Sequence, residues 1–182
     1  MDYYCISCQC GVEKNFCKIL KAKLEDYPID NDSDVIFPVK IMHERKKGAW
    51  KEVEQTLIPG YVILSTDLDI LKICEICYGV KGYRYPLRYG DKTFKLRDRD
   101  LEYALWVSKN DGVILPSKAV WVPGEKIKII EGPLKDFTGS IKKIFKRGHK
   151  LTVDLDFAGS INTVSLAVEF VEPLKEKIDL SR

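Results

Sequence analysis

The amino-acid sequence predicts an α+β protein in two parts, a helix-backed antiparallel sheet followed by a small all-β barrel. Two observations point there. Up to residue 109, segments of strand period and helix period alternate; from Val122 onward the apolar positions keep a period of two between closely spaced turns. Between the halves, Asn110-Asp111-Gly112 and Leu115-Pro116-Ser117 have the texture of a connection. The reading is a first domain over 1–109, a linker over 110–121 and a second domain over 122–182. A second unit of this size lies near the lower limit for independent folding.

The elements follow in order. Tyr3 to Cys8 reads as a first strand, which Gly11 ends. Val12, Phe16, Ile19, Leu20 and Leu24 have helical spacing, and Pro28 with Asp30, Asp32 and Asp34 makes a loop. Val35, Phe37, Val39 and Ile41 alternate as one strand. His43 to Gly48 is a charged hairpin tip with glycine where a turn needs it. Tyr61 to Leu64 is a buried central strand, Leu68 to Cys77 a short amphipathic helix, and Tyr83 with Tyr85 another strand. Asp98 fits the N-cap of a helix over Arg99–Lys109, with Leu101, Leu105 and Trp106 turned inward. The order β-α-β-β-β-α-β-α suits a ferredoxin-like antiparallel sheet. In the second unit, Lys126 to Ile130 and Ser140 to Phe145 are strands; Leu151, Val153, Leu155 and Phe157 alternate, and so do Val164, Leu166 and Val168.

Composition excludes several functions. The chain has 182 residues and a net charge of +3, too mild by itself to announce a nucleic-acid partner. It has no run long enough to span a membrane, and Met1 to Cys10 lack a signal-peptide pattern, so a cytoplasmic protein is expected. Neither His43 nor His149 has a nucleophile near it in sequence, and the glycines are scattered, so neither catalysis nor a cofactor is expected. The six cysteines include Cys5-x-x-Cys8 and Cys74-x-x-Cys77. Cys5 and Cys8 fall on a strand, where residues three apart face opposite sides, so small buried hydrophobes are a better reading than a metal site.

Charge is concentrated locally. Residues 142–150 read Lys-Lys-Ile-Phe-Lys-Arg-Gly-His-Lys, with five fixed cations and no acid. Such a run repels itself unless a polyanion is near. The hairpin adds Arg45, Lys46 and Lys47, which could meet phosphates or simply be solvated; Trp50 beside them reads as a core residue rather than a stacking face.

Two motifs carry a resemblance. Gly132-Pro133-Leu134-Lys135-Asp136-Phe137-Thr138-Gly139-Ser140-Ile141 resembles the KOW element of NusG-type transcription factors, and Leu57-Ile58-Pro59-Gly60-Tyr61-Val62 resembles a hallmark of their N-terminal (NGN) domain. The resemblance spans about residues 3–174. It implies an NGN domain followed by an SH3-like KOW barrel, no enzyme activity, and docking of an apolar hollow on the clamp helices of the RNA polymerase β′ subunit. The matching positions are Tyr4, Ile58, Pro59 and Tyr61. The family usually places phenylalanine where Ile58 stands, so an altered affinity is expected. The resemblance further implies an opposite edge near the β subunit and a hairpin, Arg45 to Lys47, near the non-template DNA strand.

The basic turn looks most like the LoaP branch of the family, whose members give processive antitermination of particular long operons by recognising a structured RNA leader. On that reading Lys142, Lys143, Lys146, Arg147, His149 and Lys150 meet an RNA hairpin. A general NusG elongation and termination factor is the alternative, and a stand-alone KOW RNA-binding protein a third. Phe157 matches a position that contacts NusE or Rho in general NusG factors, and it equally fits the barrel core by alternation. NusA is a further possible partner. A monomer is expected, with a stable barrel on a flexible tether.

Overall fold

The computed structural model describes residues 1–27, 32–122 and 127–171, apart from the Lys46 side chain. Pro28 and Asp30 of the expected acidic loop, Lys126 of an expected strand, and residues 172–182 of the second unit lie outside the described residues.

The first half contains β1 (Asp2–Cys8), α1 (Glu13–Glu25), β2 (Asp34–Ile36), β3 (Val39–Lys46), β4 (Ala49–Thr56), β5 (Tyr61–Thr66), α2 (Ile70–Cys77), β6 (Tyr83–Pro86) and α3 (Asp98–Lys109). β7 (Val113–Ile114) and β8 (Ser117–Val120) follow. The second half contains β9 (Lys128–Glu131), β10 (Ser140–Phe145), β11 (Lys150–Phe157) and β12 (Ser160–Phe170).

Four strands form one sheet in the order β2-β5-β1-β6, antiparallel throughout. The single strand expected over Val35–Ile41 is two strands. Pro38 has no N–H to continue a ladder; β2 pairs with β5, while β3 leaves for a second sheet of order β4-β3-β7. The barrel sheet runs β10-β11-β12-β8-β9 and is curled. β7 and β8 fall in the segment expected to be a tether. β7 lies parallel to β3 at Val39 and Lys40, and β8 lies parallel to β12.

Period-two alternation along β1 divides the core. Tyr4, Ile6 and Cys8 pack with Val62 and Leu64 against Phe16, Leu20 and Leu24 of α1 and Ile73, Ile76 and Cys77 of α2. Tyr3 and Cys5 face the other way, toward Ile63 and α3. Cys5 and Cys8 therefore lie in different cores, too far apart in direction to grip one ion. Burial pushes the Cys5 thiol well up, and the Cys8 and Cys77 thiols up to about 12, which makes them poor nucleophiles.

Two helix details differ from expectation. α2 is capped by Asp69, whose carboxylate accepts the N–H groups of Leu71 and Lys72 at 2.9 and 3.1 Å. Asp98 is the first residue of α3 and Arg97 its N-cap, with no side-chain capping bond. On α3, Tyr103, Ala104, Trp106 and Val107 are buried while Leu105 is exposed. The helix is covered on two sides, by the sheet and by the barrel, so its inward stripe is centred differently from the one the leucines suggest.

Candidate functional site

The Pro59-Gly60-Tyr61 segment is held by a buried carboxylate. Glu13, at the start of α1, accepts the Gly60 N–H at 2.9 Å and the Gly11 N–H at 2.7 Å. Gly60 has φ +84°, and a Cβ there would meet the Cys10 sulfur at 3.1 Å. The strand entry is thus pinned, which aims Tyr61 along the lower face of the sheet beside Tyr3 and Ile58.

That face is not open. Phe157, 1% exposed at the end of β11, meets the Tyr61 ring edge-on at 5.6 Å and the Tyr103 ring at 4.3 Å. Trp106 packs on Phe137 at 5.2 Å and donates its indole N–H to the Pro133 carbonyl at 2.8 Å. Polar bonds frame the seam. Asp100 accepts the Ala158 N–H at 2.8 Å and the Tyr89 hydroxyl at 2.6 Å. Lys109 pairs with Asp136 at 2.6 Å, and the Thr138 hydroxyl donates to Glu102 at 3.1 Å. One hydrophobic cluster therefore runs from Cys5, Ile58 and Ile63 through α3 to Leu151, Val153 and Phe157. Burial raises the Tyr61 phenol and raises the Tyr103 phenol further.

The four positions matched to polymerase docking do not share one surface. Ile58 (4% exposed) and Tyr61 lie on the seam, and Pro59 is exposed beside them. Tyr4 (2% exposed) is on the opposite face of β1, where its hydroxyl donates to the Leu68 carbonyl at 3.3 Å. Tyr3, one residue earlier, is the aromatic residue that shares the face of Tyr61.

The KOW-like segment makes a 3-10 turn over Pro133–Asp136 before β10. Gly139 is obligatory: a Cβ there would collide with the Phe137 ring and with the Asp154 carbonyl. The basic run occupies β10, a 3-10 turn over Lys146–Gly148, and the start of β11. The run does not act as one cluster. A bulge at Lys142 sends it to Asp154, 3.0 Å away, and this contact with the Thr163 hydroxyl bond holds the Asp154 carboxyl below its ordinary value, the Thr163 bond being the larger cause. Lys143 and Lys150 instead lie over the Phe145 ring at 5.0 and 5.5 Å, and Lys146 lies over Trp121 at 5.3 Å. Arg147 is exposed, and His149 adopts a left-handed conformation at φ 47°.

On the β3–β4 hairpin, Lys47 and Gly48 both have positive φ, 52° and 83°, between the paired Lys46 and Ala49. This is the primed two-residue turn that matches strand twist. Arg45 and Lys47 are exposed; Lys46 is on β3. Trp50, expected in the core, is 50% exposed and makes a T-shaped contact with His149, centroids 5.7 Å apart. Sequence reasoning missed Asp100, Glu13 and Tyr103. Their roles depend on backbone N–H groups and rings distant in the chain, and only the i, i+3 pair Tyr103 and Trp106 left a local signal.

No family model matches the chain. Along nearly its whole length it is similar to transcription termination/antitermination proteins NusG. The Helicobacter pylori (strain J99) protein is 26% identical over 176 residues, covering 96% of this chain and 99% of that one. The Thermus thermophilus protein is 24% identical, covering 91% and 95%. Among solved structures, one titled "Domain interaction in Thermotoga maritima NusG" superposes with a TM-score of 0.54 at 22% identity, covering 91% of this chain and 93% of that one, and shares its fold. The fold class is thus α+β, an N-terminal sheet with helices followed by a curled five-stranded half-barrel, as in that NusG structure. Over nearly its full length, then, the chain resembles NusG-type transcription factors at 22–26% identity. Among the described residues, no helix is long and apolar enough to cross a membrane.

Proposed function

We propose that this chain rides RNA polymerase as a NusG-type elongation factor acting in termination and antitermination. The observation that carries this reading is the similarity to NusG proteins over both halves, with almost complete coverage of each partner. The apolar face bearing Ile58, Pro59 and Tyr61, with Tyr3 in place of Tyr4, is the surface offered to the β′ clamp helices. Phe157 is the barrel's protein contact, and in the free chain it is spent on Tyr61 and Tyr103. Engagement of polymerase, or of a barrel partner such as NusE, NusA or Rho, then requires the seam to open.

A second reading is favoured by one observation. Lys143, Lys146, Arg147 and Lys150 have no carboxylate partner among the described residues. That suits a specialised, LoaP-like paralog that takes a structured RNA leader and acts on particular operons. Of the residues assigned to RNA, Lys142 is the weakest member because Asp154 already neutralises it.

Affinity capture of polymerase with the tagged full chain tests the first reading: polymerase should be recovered, and a charge at exposed Pro59 (Pro59→Glu) should reduce recovery. Ile58→Asp is unsuited to this, since Ile58 is buried in the shared core. Occupancy confined to a few operons would separate the second reading from the first.

A further inference from the structure

The basic turn and the hairpin are separated by about a hundred residues in sequence, yet Trp50 and His149 touch, with ring centroids 5.7 Å apart and planes at 80°. We propose that the β3–β4 hairpin and the β10–β11 turn form one continuous binding surface for a single-stranded polynucleotide, with Trp50 as the stacking platform at their junction. The proposal rests on the reading of the basic turn as a nucleic-acid contact.

Charge continues across the junction. On the hairpin side Arg45, Lys47 and Lys51 are exposed, and none has a carboxylate partner among the described residues. The nearby acids are already engaged: Glu52 faces His43 at 3.6 Å, and Glu44 accepts from the Gln55 amide at 2.7 Å. On the turn side the cations are interleaved with rings, Lys146 on Trp121 and Lys143 with Lys150 on Phe145, and Trp121 stacks on Phe170 at 5.6 Å. Half of Trp50 remains open to solvent.

Cations spaced between half-buried and exposed rings suit a strand whose phosphates and unstacked bases are both accessible. A regular duplex hides its base faces and would use the cations only. The Trp50 ring stands at 80° to the His149 ring and remains 50% exposed, which leaves indole surface for a base, and the His149 carbonyl accepts the Val168 N–H at 2.9 Å. The ligand chemistry is a phosphodiester chain with splayed bases, supplied by a transcript or by an unpaired DNA strand.

The test is fluorescence anisotropy of the full chain with labelled single-stranded RNA of about 12 nucleotides, the same sequence as DNA, and the RNA annealed to its complement. Trp50→Ala should weaken single-strand binding by about ten-fold, Trp50→Phe should restore most of it, and duplex binding should change little. Arg45→Gln with Lys47→Gln should lower the salt slope by about 1.4, roughly 0.7 for each phosphate contact on a single strand. Preference for RNA would identify a transcript as the source, and preference for DNA an opened duplex; both support the surface. If Lys143→Gln, Lys146→Gln and Arg147→Gln together abolish binding while the hairpin and Trp50 variants bind as the parent does, the turn acts alone and the composite surface is overturned. If that triple variant also binds normally with an unchanged salt slope, the nucleic-acid reading of the turn falls with it. Tighter binding to the annealed RNA than to the single strand would likewise overturn the proposal.

Discussion

The two faces of the four-stranded sheet are covered in different ways. The upper face is sealed by α1 and α2, elements close in sequence to the strands they cover, through Phe16, Leu20, Leu24, Ile73 and Ile76 with hardly a polar group between them. The lower face is covered by α3 and then by a barrel whose strands begin with β8 at Ser117, far along the chain from Tyr61, through a few rings bordered by hydrogen bonds and an ion pair. The upper contact has the composition of a permanent core. The lower one resembles an interface between domains in being more polar at its rim. The surface proposed for polymerase is on this lower face, which the proposed function requires to be uncovered.

The comparison can be broken by substitution. Phe16→Ala should cause the largest change, about 3–5 kcal/mol of unfolding free energy from the lost ring and the cavity left behind. Denaturant unfolding would measure it, and barrel resonances should keep their positions below the transition. Asp100→Ala strips the Ala158 N–H and the Tyr89 hydroxyl of their acceptor, at about 1–3 kcal/mol. Its signature should be local: faster hydrogen exchange at Ala158 with α1 and α2 amides unaffected. Uniform acceleration through the first half would mean that the seam and the upper core are one cooperative unit.

Phe157→Leu keeps the barrel position apolar and removes two aromatic contacts, each worth about 0.5–1.5 kcal/mol beyond burial. The account expects a more open seam and stronger capture of polymerase by the free chain. Weaker capture would mean that the docked arrangement is the one polymerase receives.

The smallest effect is a pH dependence. The Lys109 hydrogen bond and charge hold the Asp136 carboxyl below the ordinary value of 3.8. A depressed folded-state value contributes stability above the ordinary carboxylate range and loses it as pH falls through the folded value. Both groups are largely solvated, so the effect is slight. Seam resonances should therefore shift on acidification below about pH 4, and Asp136→Asn should remove that component.

These contrasts also explain what the sequence could disclose. Strands with uninterrupted alternation, Tyr3–Cys8 and Leu151–Phe157, were legible because one period fixes both faces. The KOW-like turn was legible through Gly132 and Gly139, where positive φ at the first and close approach at both demand glycine. The break at Pro38 was missed because Val35 to Ile41 still alternates across it; the partner strands decide the split. Leu105 was misassigned because α3 is buried by two layers, and helix period alone cannot say which pair of faces is covered. Tyr4 was placed with Tyr61 although strand parity puts Tyr3 there. Trp50 was assigned to a core because hydrophobicity carries no information about a histidine a hundred residues away.

The most direct test of the central claim is the chromosomal occupancy of this protein measured beside that of RNA polymerase. The account predicts a signal that follows polymerase through transcribed regions and collapses when initiation is blocked. Occupancy independent of polymerase, or none at all, would contradict it.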